Sequence, residues 1–191
     1  MYRYLIIESK HDINQDLQVI LSMFSDFIHI ESYSSDQHAL CIYYNHDTDI
    51  PFKDIMLNMM SDILSDLRIY VSYRFDQKDA LESHQKSIKT LLKDIPFTKY
   101  VYLDDKVLLL ALGTTHQSIL KPLILRKYKS DQMMIDTIKT YLETDQNMSS
   151  ASKILYVHRN TLIQRIDKFE QVTGFDVKIF IDAYLIYHLI R

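Results

Sequence analysis

The sequence predicts an α+β fold, with an antiparallel ferredoxin-like sheet domain over residues 1–125 and an all-α domain over residues 126–191. Three observations predict it. Apolar residues alternate with period two in some segments and recur at helical spacing in others. In the first 125 residues these segments follow the order β-α-β-β-α-β, then α-β. Beyond residue 130 only helical spacing remains.

Each element has its own signal. Tyr4 to Glu8 reads as a strand. Ile13, Leu17, Ile20, Leu21 and Phe24 then make a helical face. Ile28–Tyr33 and Ala39–Tyr44 are β-rich, and Ser34-Ser35-Asp36-Gln37-His38 between them fits a hairpin loop. A helix opens at Pro51 and carries Ile55, Met56, Met59, Met60, Ile63, Leu64 and Leu67 on one face. Ile69–Tyr73 is a strand, Asp79–Leu92 a helix, and Tyr100–Leu103 a strand. In the helix, Leu81, His84, Ile88, Leu91 and Leu92 point inward. Sequential pairing of these elements places the helices on one face of the sheet.

Composition excludes several chemistries. Only two glycines occur in 191 residues, Gly113 and Gly174, against about 13 at average usage. A Walker or Rossmann phosphate loop needs clustered glycines, so neither can be written. The G-x-S-x-G nucleophile elbow is missing as well. The single Cys41 sits in an apolar run and reads as a buried, inert thiol of a reducing compartment. The N-terminal apolar run is too short for a signal peptide, and no segment approaches 18 uninterrupted apolar residues. A cytoplasmic protein is expected, with no membrane partner.

The first domain carries no catalytic constellation. Its histidines at 11, 29, 38, 46, 84 and 116 lack metal-ligand spacing. Met56, Met59 and Met60 read as core. Asp47, Asp49 and Asp54 read as a solvated loop. The element order is similar to that of GGDEF-type nucleotidyl cyclase domains. That resemblance implies a catalytic motif on the central hairpin and a metal-holding carboxylate at the end of the first strand. The hairpin here has neither paired glycines nor paired carboxylates, and Glu8 stands alone. No enzyme activity and no cofactor are expected.

Charge is uneven. Residues 1–125 carry net −5 and residues 126–191 carry net +2. The sign changes at Arg126-Lys127-Tyr128-Lys129, which looks like a domain junction; a solvated linker with ordinary charge scatter is the alternative reading of the asymmetry.

The last 60 residues carry the functional signal. Asp131 opens an amphipathic helix with Met134, Ile135, Ile138, Tyr141 and Leu142 inward. Asn147 caps a short helix whose apolar positions are Ala151, Ile154 and Leu155. Tyr156-Val157-His158 forms a turn. Leu162, Ile166, Phe169 and Val172 then make one buried stripe, which stops at Gly174. A short helix, a tight turn and a helix polar at its start describe a helix-turn-helix. His158, Arg159, Asn160 and Thr161 stand at that start. Arg and Asn can make bidentate contacts to guanine and adenine edges, and Thr can contact phosphate. Ile179–Ile190 is apolar nearly all round and demands cover on more than one side, from the first domain or a second subunit.

The runs Thr140-Tyr141-Leu142-Glu143 and Val157-His158-Arg159-Asn160-Thr161-Leu162, with Arg165 and Thr173-Gly174, resemble the C-terminal DNA-binding domain of PucR/CdaR-type bacterial transcriptional regulators, within the wider Fis-like helix-turn-helix class. The resemblance extends weakly upstream, through Ala80–Leu92, Tyr102–Asp105 and Leu120–Leu123, to that family's degenerate cyclase-like domain. It implies a non-catalytic sensing or dimerisation module ahead of the helix-turn-helix. The partners implied are double-stranded DNA, a second copy in a homodimer and a small-molecule effector of unspecified identity. The resemblance implies DNA contact for Arg159, Asn160, Thr161 and Arg165, and phosphate contact for Ser149 and Ser150; His158, at the start of the same helix, and Gln164 complete the set of residues expected at DNA. Ile163 stands where the family has a basic residue and Gln164 where it has an aromatic one, so weaker or more shape-dependent DNA binding is expected. The alternative is a ligand-binding or protein-interaction module whose helix-turn-helix has lost DNA binding.

Overall fold

The computed structural model describes residues 2–45, 52–54, 67–97, 99–113 and 115–191. The chain divides into two compact units, Met1–Leu108 and Leu109–Arg191.

The first unit is built on a five-stranded sheet. Its strands are β1 (Arg3–Ser9), β2 (Ile30–Ser35), β3 (Ala39–Tyr44), β4 (Leu67–Val71) and β5 (Tyr102–Leu103), in the order β2-β3-β1-β4-β5. Neighbours from β2 to β4 pair antiparallel, with Leu5 opposite both Ile42 and Val71. This is the expected split β-α-β arrangement. The sheet is not wholly antiparallel, because β5 joins β4 in parallel through Ile69 and Tyr102. The β2–β3 hairpin turns without glycine. Asp36 Oδ1 accepts from the amides of His38 and Ala39, both at 2.9 Å.

Helix α1 (Leu17–Ser25) and α2 (Lys78–Leu92) cover opposite faces of this sheet, which corrects the expectation of helices on one face. The cause lies in β1, which is apolar on both sides. Leu5 and Ile7 face Ile20 and Phe24 of α1, together with Leu40, Ile42 and Ile69. Tyr4 faces α2, and its hydroxyl meets His84 Nδ1 at 2.7 Å. Cys41 lies on that second face, buried as expected, and accepts a hydrogen bond from Gln85 Nε2 at 2.7 Å. The helix expected from Pro51, with its Met56-Met59-Met60 face, lies outside the described residues except for a helical turn at 52–54. So do Asp47, Asp49 and His46. Leu67, expected on that helix, begins β4 instead.

Glu8 holds a protein cation. Arg68 on β4 is buried; its Nη2 lies 2.6 Å from Glu8 Oε2 and its Nε donates to the same oxygen at 2.7 Å. The guanidinium also donates to the carbonyls of Leu92 and Ile95, satisfying the end of α2. Among the described residues, no group of three or more His, Cys, Asp or Glu could hold a metal ion.

The second unit begins at Leu109, upstream of the expected boundary at 126. It takes in the end of α3 (Asp105–Leu112) and all of α4 (Gln117–Leu125), because α4 packs on the helices that follow. Gly113 closes α3 in the left-handed region, with φ +55°, and its amide bonds Leu109 O at 2.9 Å. That is the backbone reason for a glycine at this position. A 3-10 turn (Arg126–Ser130) leads to α5 (Gln132–Glu143), α6 (Met148–Ile154), α7 (Arg159–Thr173) and α8 (Phe180–Ile190). Ile138, Tyr141, Ala151, Leu162, Ile166, Phe169 and Ile186 form the core.

The segment Arg126–Ser130 is solvated only in part, with Lys127, Lys129 and Ser130 exposed. Tyr128 is buried and stacks on Phe169, with ring centroids 5.9 Å apart. Arg126 Nη1 donates to the carbonyl of Val172 in the last turn of α7, where cations are favoured.

Candidate nucleic-acid interface

Helices α6 and α7 form a helix-turn-helix whose geometry is fixed by hydrogen bonds at its ends. Asn147 Oδ1 accepts from the amides of Ser149 and Ser150, each at 3.0 Å, and so caps α6 as expected. Helix α6 ends in a Schellman motif. The Tyr156 amide bonds Lys153 O at 3.2 Å, and the Val157 amide bonds Ser152 O at 3.0 Å. Tyr156 takes the left-handed conformation this motif needs, with φ +53°. Two residues later His158 caps α7, its Nδ1 accepting from the Asn160 amide at 3.2 Å. The far end of α7 stops at Gly174, which has φ +78° and an amide bonded to Glu170 O at 2.7 Å.

The faces of α7 separate cleanly. Leu162, Ile166 and Phe169 are buried, while Val172, expected in the same stripe, is half-buried and Thr173 is buried in its place; His158, Arg159, Asn160, Thr161 and Gln164 are exposed. Ser149 and Ser150 are exposed at the start of α6. Seven of the eight residues expected at DNA are therefore exposed to solvent. Arg165 differs. It is half-buried, and its Nη1 donates to Thr137 Oγ1 of α5 at 3.0 Å. Ile163, where a cation was expected, is half-buried.

Sequence reasoning gave Tyr156 no role beyond the turn. It is 95% exposed and sits directly ahead of the row 158–161. Its left-handed backbone was hidden because the usual signal, a glycine, is missing at that position.

Residues 134–189 match the model of the PucR C-terminal helix-turn-helix domain. The C-terminal helical region is a PucR-type helix-turn-helix domain. Two curated proteins are similar to part of the chain. The purine catabolism regulatory protein of Bacillus subtilis is 44% identical over 52 residues, which cover 27% of this chain and 10% of that protein. The DNA-binding transcriptional activator AdeR of Bacillus subtilis is 34% identical over 65 residues, covering 33% of this chain and 15% of AdeR. The chain thus matches well under a quarter of the length of these relatives. A regulator of polyketide synthase expression from Bifidobacterium adolescentis aligns over 98% of this chain and 78% of its own, with a TM-score of 0.46 and 15% identity. Among the described residues, no helix is long and apolar enough to cross a membrane.

Proposed function

We propose that this chain is a sequence-specific, DNA-binding transcriptional regulator that reads duplex DNA with α7. The observation that carries the reading is the exposed row His158-Arg159-Asn160-Thr161 at the N-terminus of α7, on a PucR-type helix-turn-helix. The N-terminal residues of a recognition helix are those that reach base edges in the major groove. In this reading Arg159 makes a bidentate contact with guanine and Asn160 with adenine. Gln164 continues the same face one turn on. Thr161, Ser149 and Ser150 hold phosphate oxygens. Arg165, tied to Thr137, sets the seat of α7 on α5 and keeps its remaining donors for phosphate.

The protein acts in the cytoplasm as a homodimer and presents two α7 helices to half-sites about 34–36 Å apart. Helix α8 supports that assembly. Its inner side, Leu185, Ile186, Leu189 and Ile190, is buried, while Phe180, Ile181 and Tyr184 stay about half or more exposed. The sheet unit serves as a non-catalytic sensing or dimerisation module.

The test is a gel shift of the full chain with random-sequence duplex at low salt, followed by selection of the bound sequences. A shift that sharpens onto one enriched sequence is the expected result. Absence of any shift overturns the reading.

A further inference from the structure

We propose that Tyr156 is a DNA-backbone contact, its phenol hydroxyl donating to a phosphate oxygen beside the groove that α7 enters. The inference rests on the DNA-binding reading above and adds to it a residue and a role.

Four non-glycine residues among those described have positive φ: Arg126, Asp145, Gln146 and Tyr156. Two of them use the side chain that this backbone presents. Arg126 donates to Val172 O, and Gln146 Nε2 donates to Val177 O at 2.7 Å. Asp145 is a residue type that tolerates the left-handed region. Tyr156 is neither. It is bulky, it occupies the position where a Schellman motif favours glycine, and its ring is 95% exposed. Among the described residues its side chain has no hydrogen-bond partner and no ring partner. The side chain therefore returns nothing to the fold.

Its place explains what it can reach. Consecutive Cα atoms lie about 3.8 Å apart, so Tyr156 lies within about 8 Å of the cap residue His158. The two backbone bonds of the Schellman motif fix its direction. Exposed cations flank it in the sequence, Lys153 on α6 and Arg159 on α7. An exposed phenol donor three residues from a cation on each side in the sequence, and two residues ahead of a helix N-cap, suits an anionic backbone oxygen. Tyrosine is among the side chains that bond phosphate in protein–DNA interfaces. The contact is neutral and carries no base information.

The test uses the full chain and a fluorescein-labelled random-sequence duplex of about 30 bp at low salt, with anisotropy and thermal melting as readouts. Tyr156→Phe removes only the hydroxyl. It is expected to weaken binding about 3- to 10-fold, the change of one hydrogen bond, with the salt slope unaltered. Tyr156→Gly relaxes the backbone. It is expected to weaken binding at least as much while the melting temperature holds or rises. Wild-type binding that both variants match overturns the inference alone. A melting temperature that falls together with affinity in both variants returns Tyr156 to the fold and also overturns it. A wild-type chain that binds no duplex overturns the DNA-binding reading, and the inference with it.

Discussion

Arg165 on α7 and Thr137 on α5 share a hydrogen bond of 3.0 Å from Nη1 to Oγ1. Thr137 is fully buried, and its hydroxyl in turn donates to Met133 O at 2.7 Å. A cation of α7 is thereby anchored to α5. Thr137→Val removes the acceptor and keeps the shape. Hydrogen bonds to charged groups are worth about 1.5–3 kcal/mol. We expect a loss of stability in that range, read by urea unfolding of the helical unit. An unchanged midpoint would show that Arg165 finds an equal partner in water.

Arg159 is exposed at the start of α7 and is assigned to base readout. Arg159→Ala should cost about 1–3 kcal/mol on a selected sequence and relax base preference at one position. Affinity for random duplex should change less. Competition anisotropy with single-base variants of the selected site measures both. Equal affinity of mutant and wild type on that site would remove Arg159 from base readout.

Ile163 replaces an expected cation beside the reading row. Ile163→Arg should tighten binding to any duplex and steepen the salt dependence by about one unit of log K against log salt. Titrations at several salt concentrations give the slope. A slope equal to wild type would mean that position 163 faces away from the backbone.

Asp104 caps α3, its Oδ1 accepting from the Val107 amide at 2.8 Å. Burial pushes its carboxyl above the usual 3.8, more than the amide bonds pull it down. A carboxyl raised in the folded state favours folding while protonated. That contribution is complete below the unfolded value and is lost as pH rises through the folded one. Asp104→Asn keeps a capping oxygen without the buried charge. Its stability at pH 7 should equal or exceed that of wild type, and the difference should shrink toward zero below about pH 4. Thermal melts across that range would show it, and a large loss at pH 7 would contradict it.

Much of the architecture was legible because periodicity reports burial directly. The stripe Leu162-Ile166-Phe169, the stop at Gly174 and the hairpin pair β2–β3 all follow from residue spacing. Periodicity says which side of a strand is apolar, but both sides of β1 are, so it could not assign α1 and α2 to opposite faces. The segment Arg126–Ser130 looked solvated because three of its five residues are cationic. Its buried member, Tyr128, meets Phe169 across 41 residues of chain, a contact that no local pattern encodes. The same holds for Arg165, whose partner Thr137 lies on another helix. Tyr156 was missed for the opposite reason, since its peculiarity is purely local but carried by the backbone.

The bend between α6 and α7 is written in main-chain bonds, from Tyr156 to Lys153 and from Val157 to Ser152. Neither bond uses a side chain of residues 159–161. Those positions can be exchanged as a printer's type is exchanged in a fixed frame. In the proposed reading, a change of operator then requires new letters at the helix tip and no new machinery to hold them. If α7 reads DNA as proposed, two amide hydrogens are part of what lets the recognised sequence change while the frame stays.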